Sequence, residues 1–137
     1  MKLHIEPTNL ISEIQHEFNS NFPFLKLEFY PCNSTGKQNY GPGAIMPHNR
    51  RIGDCQTVLA SGVLDIRNEM KVSELEKKLK SVFNLKAQVF RRSGTIWLQT
   101  TITDDWTLEK QNEHGMELSR PSRSSAIPDE ITDMDNQ

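Results

Sequence analysis

Between residues 91 and 108 the chain reads RRSGTIWLQTTITDDWTL, a short run that holds paired arginines, two tryptophans and paired aspartates. Adjacent carboxylates such as Asp104 and Asp105 can divide acid and base duties when their surroundings separate their pKa values, or can hold a divalent cation. Neighbours in sequence do not thereby share a cleft, and an aspartate just ahead of an apolar periodic stretch has a simpler use. Its side chain accepts a backbone N–H and its charge suits the helix dipole, together worth about 1 kcal/mol. Because Trp106 and Leu108 follow, Asp104 or Asp105 is expected to N-cap a helix that starts near Trp106.

The remaining reactive side chains are scattered. His4, His16, His48 and His114 never fall at metal-ligand spacing, and Cys32 and Cys55 form no CxxC pair. Phosphate-cradling glycine motifs and a GxSxG elbow do not occur. Lys71, Lys77, Lys78 and Lys80 alternate with Glu74 and Glu76 in i,i+4 pairs, the pattern of a solvated helix face. No catalytic residue, metal site or cofactor is assigned on this basis. An enzyme would have only Asp105, Cys55 and the loop around His48 to draw on.

The elements that must carry these residues emerge from self-similarity. LHIEPTNLISEIQHEFNSNF from residue 3 matches LDIRNEMKVSELEKKLKSVF from residue 64, an offset of 61 that aligns Leu3 with Leu64, Ile5 with Ile66, Glu13 with Glu74 and Phe22 with Phe83. After a one-residue adjustment FLKLEFY falls on NLKAQVF. Each copy reads as strand, helix, strand. Leu10, Ile11, Ile14, Phe18 and Phe22 recur at helical spacing, as do Val72, Leu75, Leu79, Val82 and Phe83. The strands alternate, with Leu25, Leu27 and Phe29 facing inward and Lys26, Glu28 and Tyr30 outward. Leu85, Ala87 and Val89 oppose Lys86, Gln88 and Phe90 in the same way.

Two such units predict an α+β fold of ferredoxin-like β-α-β-β-α-β order, extended by a fifth strand over residues 95–101 and a short helix. Arg91, Arg92, Ser93 and Gly94 are expected to form the hairpin turn into that strand, with Ile96, Leu98 and Thr100 pointing inward. An alternative architecture places a short helix in DCQTVLAS, an echo of DDWTLEKQ, and makes each repeat β-α-β-β-α. Residues 1–116 are read as one domain of two repeats, about 1–61 and 62–116. A Gly-, Pro- and Asn-rich loop occupies 33–56, and 117–137 are expected to be a disordered acidic tail.

On the outer sheet face the alternation gathers Lys26, Tyr30, Lys86, Phe90, Arg92 and Trp97, with Glu28, Asp65, Gln88 and Gln99 between them. Aromatics and cations on an open sheet are how RNA-recognition folds stack bases. Yet the net charge is −2, acidic residues interrupt the patch and no RNP1-like motif is present, so a protein partner or a second copy of the chain is the favoured occupant. The expected function is a non-catalytic protein-interaction or self-association module, with single-stranded nucleic-acid binding as the alternative. No run approaches the ~20 apolar residues of a membrane span and none of signal-peptide length opens the sequence, so a soluble, cytoplasmic protein is expected.

The segment VSELEKKLKSVFNLKAQVFRRSGTIWLQTTITDDWTLEKQN resembles a family of small, conserved but uncharacterised bacterial proteins that carry a similar helix, a QVFR-SG hairpin and a TDDWTL run. The resemblance spans roughly residues 62–116 and implies a bacterial setting without an assigned activity. This chain has Asn84 where the family pattern has Gly.

Overall fold

The computed structural model describes residues 1–31 and 44–120. In chain order it contains β1 (Lys2–Ile5), α1 (Ile11–Asn21), β2 (Leu25–Tyr30), a 3₁₀ turn (Ile52–Cys55), β3 (Gly62–Asp65), α2 (Val72–Phe83), β4 (Lys86–Ser93), β5 (Ile96–Gln99) and α3 (Leu108–Ser119). The helical spacings do what amphipathic periodicity requires: α1 buries Ile11, Ile14 and Phe18, and α2 buries Val72, Leu75, Leu79 and Phe83. Val82, expected on the apolar stripe of α2, is exposed instead. The helix ends where Asn84 turns left-handed, at φ 56° and ψ 36°. Asn is one of the few non-glycine residues that tolerate this conformation, so it can end the helix at a position that more often holds Gly.

Among the described residues, three helices and two antiparallel sheets make the fold α+β. β1 pairs with β3, with Leu3 opposite Leu64, and β4 lies between β2 and β5. The inward sets Leu3, Ile5, Leu64 and Ile66 of one sheet and Leu25, Leu27, Phe29 and Val89 of the other meet in one buried cluster. In a ferredoxin-like sheet β3 would insert beside β2; here that edge of β2 is occupied. The Asn19 side chain donates to Leu25 O (2.9 Å), the Gln15 side chain to Leu27 O, and the Met46 N–H to Phe29 O (2.7 Å). With those carbonyls satisfied, β2 takes its strand partner on the other side, from β4.

The same hydrogen bonds recur along the chain. Ile11 and Ser12, the first residues of α1, donate their N–H groups to Arg50 O and His48 O (2.9 and 3.1 Å). Val72 and Ser73, at the start of α2, donate to Trp106 O and Asp104 O (3.0 and 2.8 Å). In return Ile52 N–H and Gly53 N–H reach Asn9 O and Pro7 O, while Leu108 N–H and Glu109 N–H reach Met70 O and Asn68 O. Glu13 and Glu74 each reach back to the N–H of the residue capping their helix, Leu10 (2.8 Å) and Lys71 (2.9 Å). The two N-terminal turns therefore share one capping arrangement, in which a crossing backbone segment supplies the acceptors that a cap side chain otherwise would.

Several expectations are corrected. The N-cap of α3 is Thr107, whose hydroxyl accepts from Lys110 N–H (3.1 Å), because the backbone of Asp104 is already bonded to α2 and the helix starts only at Leu108. Arg91, Arg92 and Ser93 belong to β4, and the turn is Gly94 and Thr95, with Gly94 at φ 64°. β5 is shorter than expected, and Ile96 and Leu98 are 56% and 39% exposed, since α3 packs on β4 and β2 and leaves β5 uncovered. The short helical turn lies at Ile52–Cys55, ahead of most of DCQTVLAS. Within the expected loop, Met46, Ile52, Cys55 and Gln56 are buried, and Ser119 ends a helix that enters the expected tail. Cys32, the remainder of the loop at 33–43 and the tail from 121 lie outside the described residues.

Gly115 sits inside α3, where glycine costs about 1 kcal/mol relative to alanine. A Cβ there would stand 2.9 Å from Phe24 Cβ and 3.0 Å from Arg91 Cγ, so the glycine sets how closely α3 approaches the sheet. Gly115→Ala is expected to lose about 1–3 kcal/mol of stability through overpacking despite its better helix propensity, measured by thermal denaturation. A raised melting temperature would contradict this account of the packing.

Candidate functional site

The antiparallel register brings the expected face together. Lys26 lies opposite Phe90, which lies opposite Gln99; Tyr30 is opposite Lys86; Arg92 is opposite Trp97. Strand alternation puts all of them, with Glu28 and Gln88, on one side of the β2-β4-β5 sheet, whereas Asp65, expected on the same face, lies on β3 of the other sheet opposite Lys2. Lys26 organises its centre. Its Nζ lies 4.9 Å from the Trp97 ring centroid and 5.5 Å from that of Phe90, and it pairs with Glu28 Oε2 at 3.0 Å. Lys86 Nζ lies 5.9 Å from the Tyr30 ring, and Arg92 Nε donates to Gly94 O (2.9 Å).

The side chain of Glu28 is only 3% exposed, so its charge needs internal compensation. Lys26 supplies one donor, His48 Nε2 a second at 2.9 Å, and the Gln15 amide a third at 3.1 Å. The carboxylate acceptor assigns the proton to His48 Nε2, so the 3.4 Å approach of Gln15 Nε2 to that nitrogen sets two donors side by side and is not a hydrogen bond. Three elements thus meet at one buried anion: α1 through Gln15, β2 through Lys26, and the segment that crosses the start of α1 through His48. Sequence alternation places Glu28 correctly on this face but carries no sign that it is buried, because His48 is twenty positions away.

The face is less open to bases than its composition suggests. Phe90 is 9% exposed and Trp97 half-buried. Lys26, the cation over both rings among the described residues, is already paired with Glu28. Of the residues an enzyme would have to draw on, His48 is held on Glu28, Cys55 is buried in the core and Asp105 is exposed. Among the described residues no group of three or more His, Cys, Asp or Glu side chains is placed to hold a metal, and no helix is long and apolar enough to cross a membrane.

A second cluster borders the face where β5 ends. A cavity of about 580 Å³ is lined by Glu76, Lys77, Lys80, Lys86 and Asp104 among others. Sequence spacing treats Glu76 as part of a solvated helix face. In the fold it is half-buried and its Oε2 accepts the N–H of Val89 at 2.9 Å, on the edge of β4 beyond the reach of β5. The signal available in sequence was its alignment with Gln15 at the offset of 61, since Gln15 also reaches the edge of the strand after its helix, there as a donor to Leu27 O. Burial raises the Glu76 pKa above its ordinary 4.5, the charge of Asp104 adds to the rise, and the Val89 hydrogen bond opposes it. Burial also raises the Tyr30 pKa, with the charges of Glu28 and Glu76 adding to it and a hydrogen bond with Gln99 opposing, so the phenol stays neutral.

A carboxylate whose folded pKa is raised binds protons more tightly in the folded state, so its stabilising contribution is present below the ordinary value and is lost as pH climbs through the raised one. Glu76→Gln keeps an acceptor for Val89 N–H but removes the charge. Its melting temperature is therefore expected to gain on the wild type as pH rises from about 4 to about 7. Parallel melting curves for the two proteins across that range would overturn the assignment.

Comparison with protein-family models, with curated proteins and with solved structures returned no match to this chain.

Proposed function

We propose that this protein is a non-catalytic interaction module whose working surface is the outer face of the β2-β4-β5 sheet, and that its partner is protein. The observation that carries the reading is Trp97. It is a half-buried indole on an edge strand, held against Lys26, which it shares with the ring of Phe90 on the same face, while exposed Ile96 and Leu98 lie on the opposite face of the strand. Partly buried aromatics beside apolar side chains are what protein interfaces select, and charges at their cores are depleted. Single-stranded nucleic acid asks for the reverse, free cations and open ring faces. Here Lys26 is engaged by Glu28 and Phe90 is buried.

The module is read as a tandem of two βαβ-derived units, supported by the 61-residue sequence offset and by the recurring bonds that cap α1 and α2. A ferredoxin-like origin is compatible with the element order, and the later β2-β4 pairing is then a rearrangement of it. Kinship with the small bacterial proteins that residues 62–116 resemble, and a cytoplasmic setting, belong to the same reading.

The test is to replace exposed Gln99 by a photo-crosslinking phenylalanine analogue in the producing cell, with the same replacement at exposed Ser20 on α1 as the control site. Crosslinks to polypeptide are expected at position 99 and not at 20, and Trp97→Ala is expected to lower their yield at least about tenfold, as for an interface hot spot. Crosslinks to nucleic acid, or equal labelling at both positions, would defeat the proposal.

A further inference from the structure

Building on that reading, we infer that the partner is a second copy of this chain, and that the two copies pair antiparallel along their β5 strands about a two-fold axis at Leu98. The two edges of the three-stranded sheet differ. On β2 the outward carbonyls of Leu25, Leu27 and Phe29 are taken by Asn19, Gln15 and Met46. On β5 the outward groups are those of Trp97 and Gln99. This follows from the ladder: Ser93 and Ile96 close the two-residue turn as a bonded pair, and Thr100 N–H donates to Val89 O (3.3 Å). Even-numbered residues 96, 98 and 100 therefore direct their backbone groups at β4 and odd-numbered ones away from it. Among the described residues nothing bonds to the outward backbone groups of Trp97 and Gln99.

Folded proteins protect such an edge with lysine, proline, a bulge or a cover. Residues 95–103 read TIWLQTTIT and contain no charge and no proline. Ile96 is 56% exposed, Leu98 39% and Ile102 96%. Electrostatics choose the occupant. A charged peptide would find no counter-charge along this run, whereas the run lies against itself with no like charges opposed. An axis at Leu98 sets Trp97 opposite Gln99 of the other copy, both with outward backbone groups, so that each such pair exchanges two N–H to carbonyl bonds. Leu98 then meets its own symmetry mate as a non-bonded pair, with Cα atoms ~4.5 Å apart, the closest side-chain approach an antiparallel ladder offers. An axis at Trp97 would instead draw the turn residue Thr95 into the ladder. The product is a continuous six-stranded sheet, in which the outer face of one copy continues into that of the other.

Sedimentation velocity of the full chain over a concentration series is expected to show a reversible monomer–dimer equilibrium. Leu98→Lys, which opposes two ammonium groups at the axis, should weaken it at least tenfold while the circular dichroism spectrum is retained. A second variant fixes the register without relying on strong association. In a Cys32→Ser background, Leu98→Cys should oxidise to a disulfide-linked dimer, since Cα atoms across a non-bonded pair lie within disulfide reach. Trp97→Cys, which lies off the axis, should not. A dimer that survives Leu98→Lys, or equal crosslinking by both cysteines, would overturn the inference. A monomer up to millimolar concentration with no crosslink from Leu98→Cys would overturn it too. If Gln99 still crosslinks to another polypeptide in the cell in that case, the broader interaction reading stands and only the identity of the partner falls.

Discussion

The N-terminal turns of α1 and α2 hold the constraint on which the rest of the molecule depends. A helix leaves its first N–H groups without internal acceptors, and burying one unmet costs about 1–3 kcal/mol. Leu10 and Lys71, the residues at the cap positions, have no side chain that can accept. The acceptors come instead from His48 and Arg50 for α1, and from Asp104 and Trp106 for α2. Each helix can start where it does only if a distant stretch of backbone crosses it. That requirement ties residues 48–53 to 7–12 and residues 104–109 to 68–73.

Two consequences reach the candidate site. The first crossing brings His48 to Glu28, which allows a carboxylate to stay buried on a sheet face and fixes Lys26 between it and the rings of Phe90 and Trp97. The second crossing leads the chain away from the sheet after Gln99, so β5 ends early and α3 docks on β4 and β2. The close approach at Gly115 and the bond from Arg91 to Gln111 (3.0 Å) anchor that docking. The inner face of β5 is left with Ile96 and Leu98 uncovered. The uncovered strand is thus a by-product of how α2 is capped.

Local patterns were legible wherever one element decides them. The apolar stripes of α1 and α2, the alternation of β2 and β4 and the membership of the outer face all follow from periods of 3.6 and 2. What escaped were properties set by partners far along the chain. Asp104 and Asp105 read as caps because the residues after them look helical, yet the backbone of Asp104 is claimed by Ser73 and the cap falls to Thr107. Glu76 reads as solvated because its neighbours are lysines and glutamates, yet it takes the N–H of Val89. Ile96 and Leu98 read as core because they alternate correctly, but alternation states which side of a sheet a residue faces and not whether anything lies on that side.

By itself, then, the sequence determined the α+β class, the helices and strands with their inward faces, and the set Lys26, Tyr30, Lys86, Phe90, Arg92 and Trp97 on one surface. Each is fixed by bond geometry within a few residues. The tertiary structure alone decided that β2 pairs with β4, that Glu28 is buried under three donors, that Lys26 covers the aromatic rings and that the edge of β5 is bare. These depend on which backbone groups have already found partners when two distant segments meet, which no local period records.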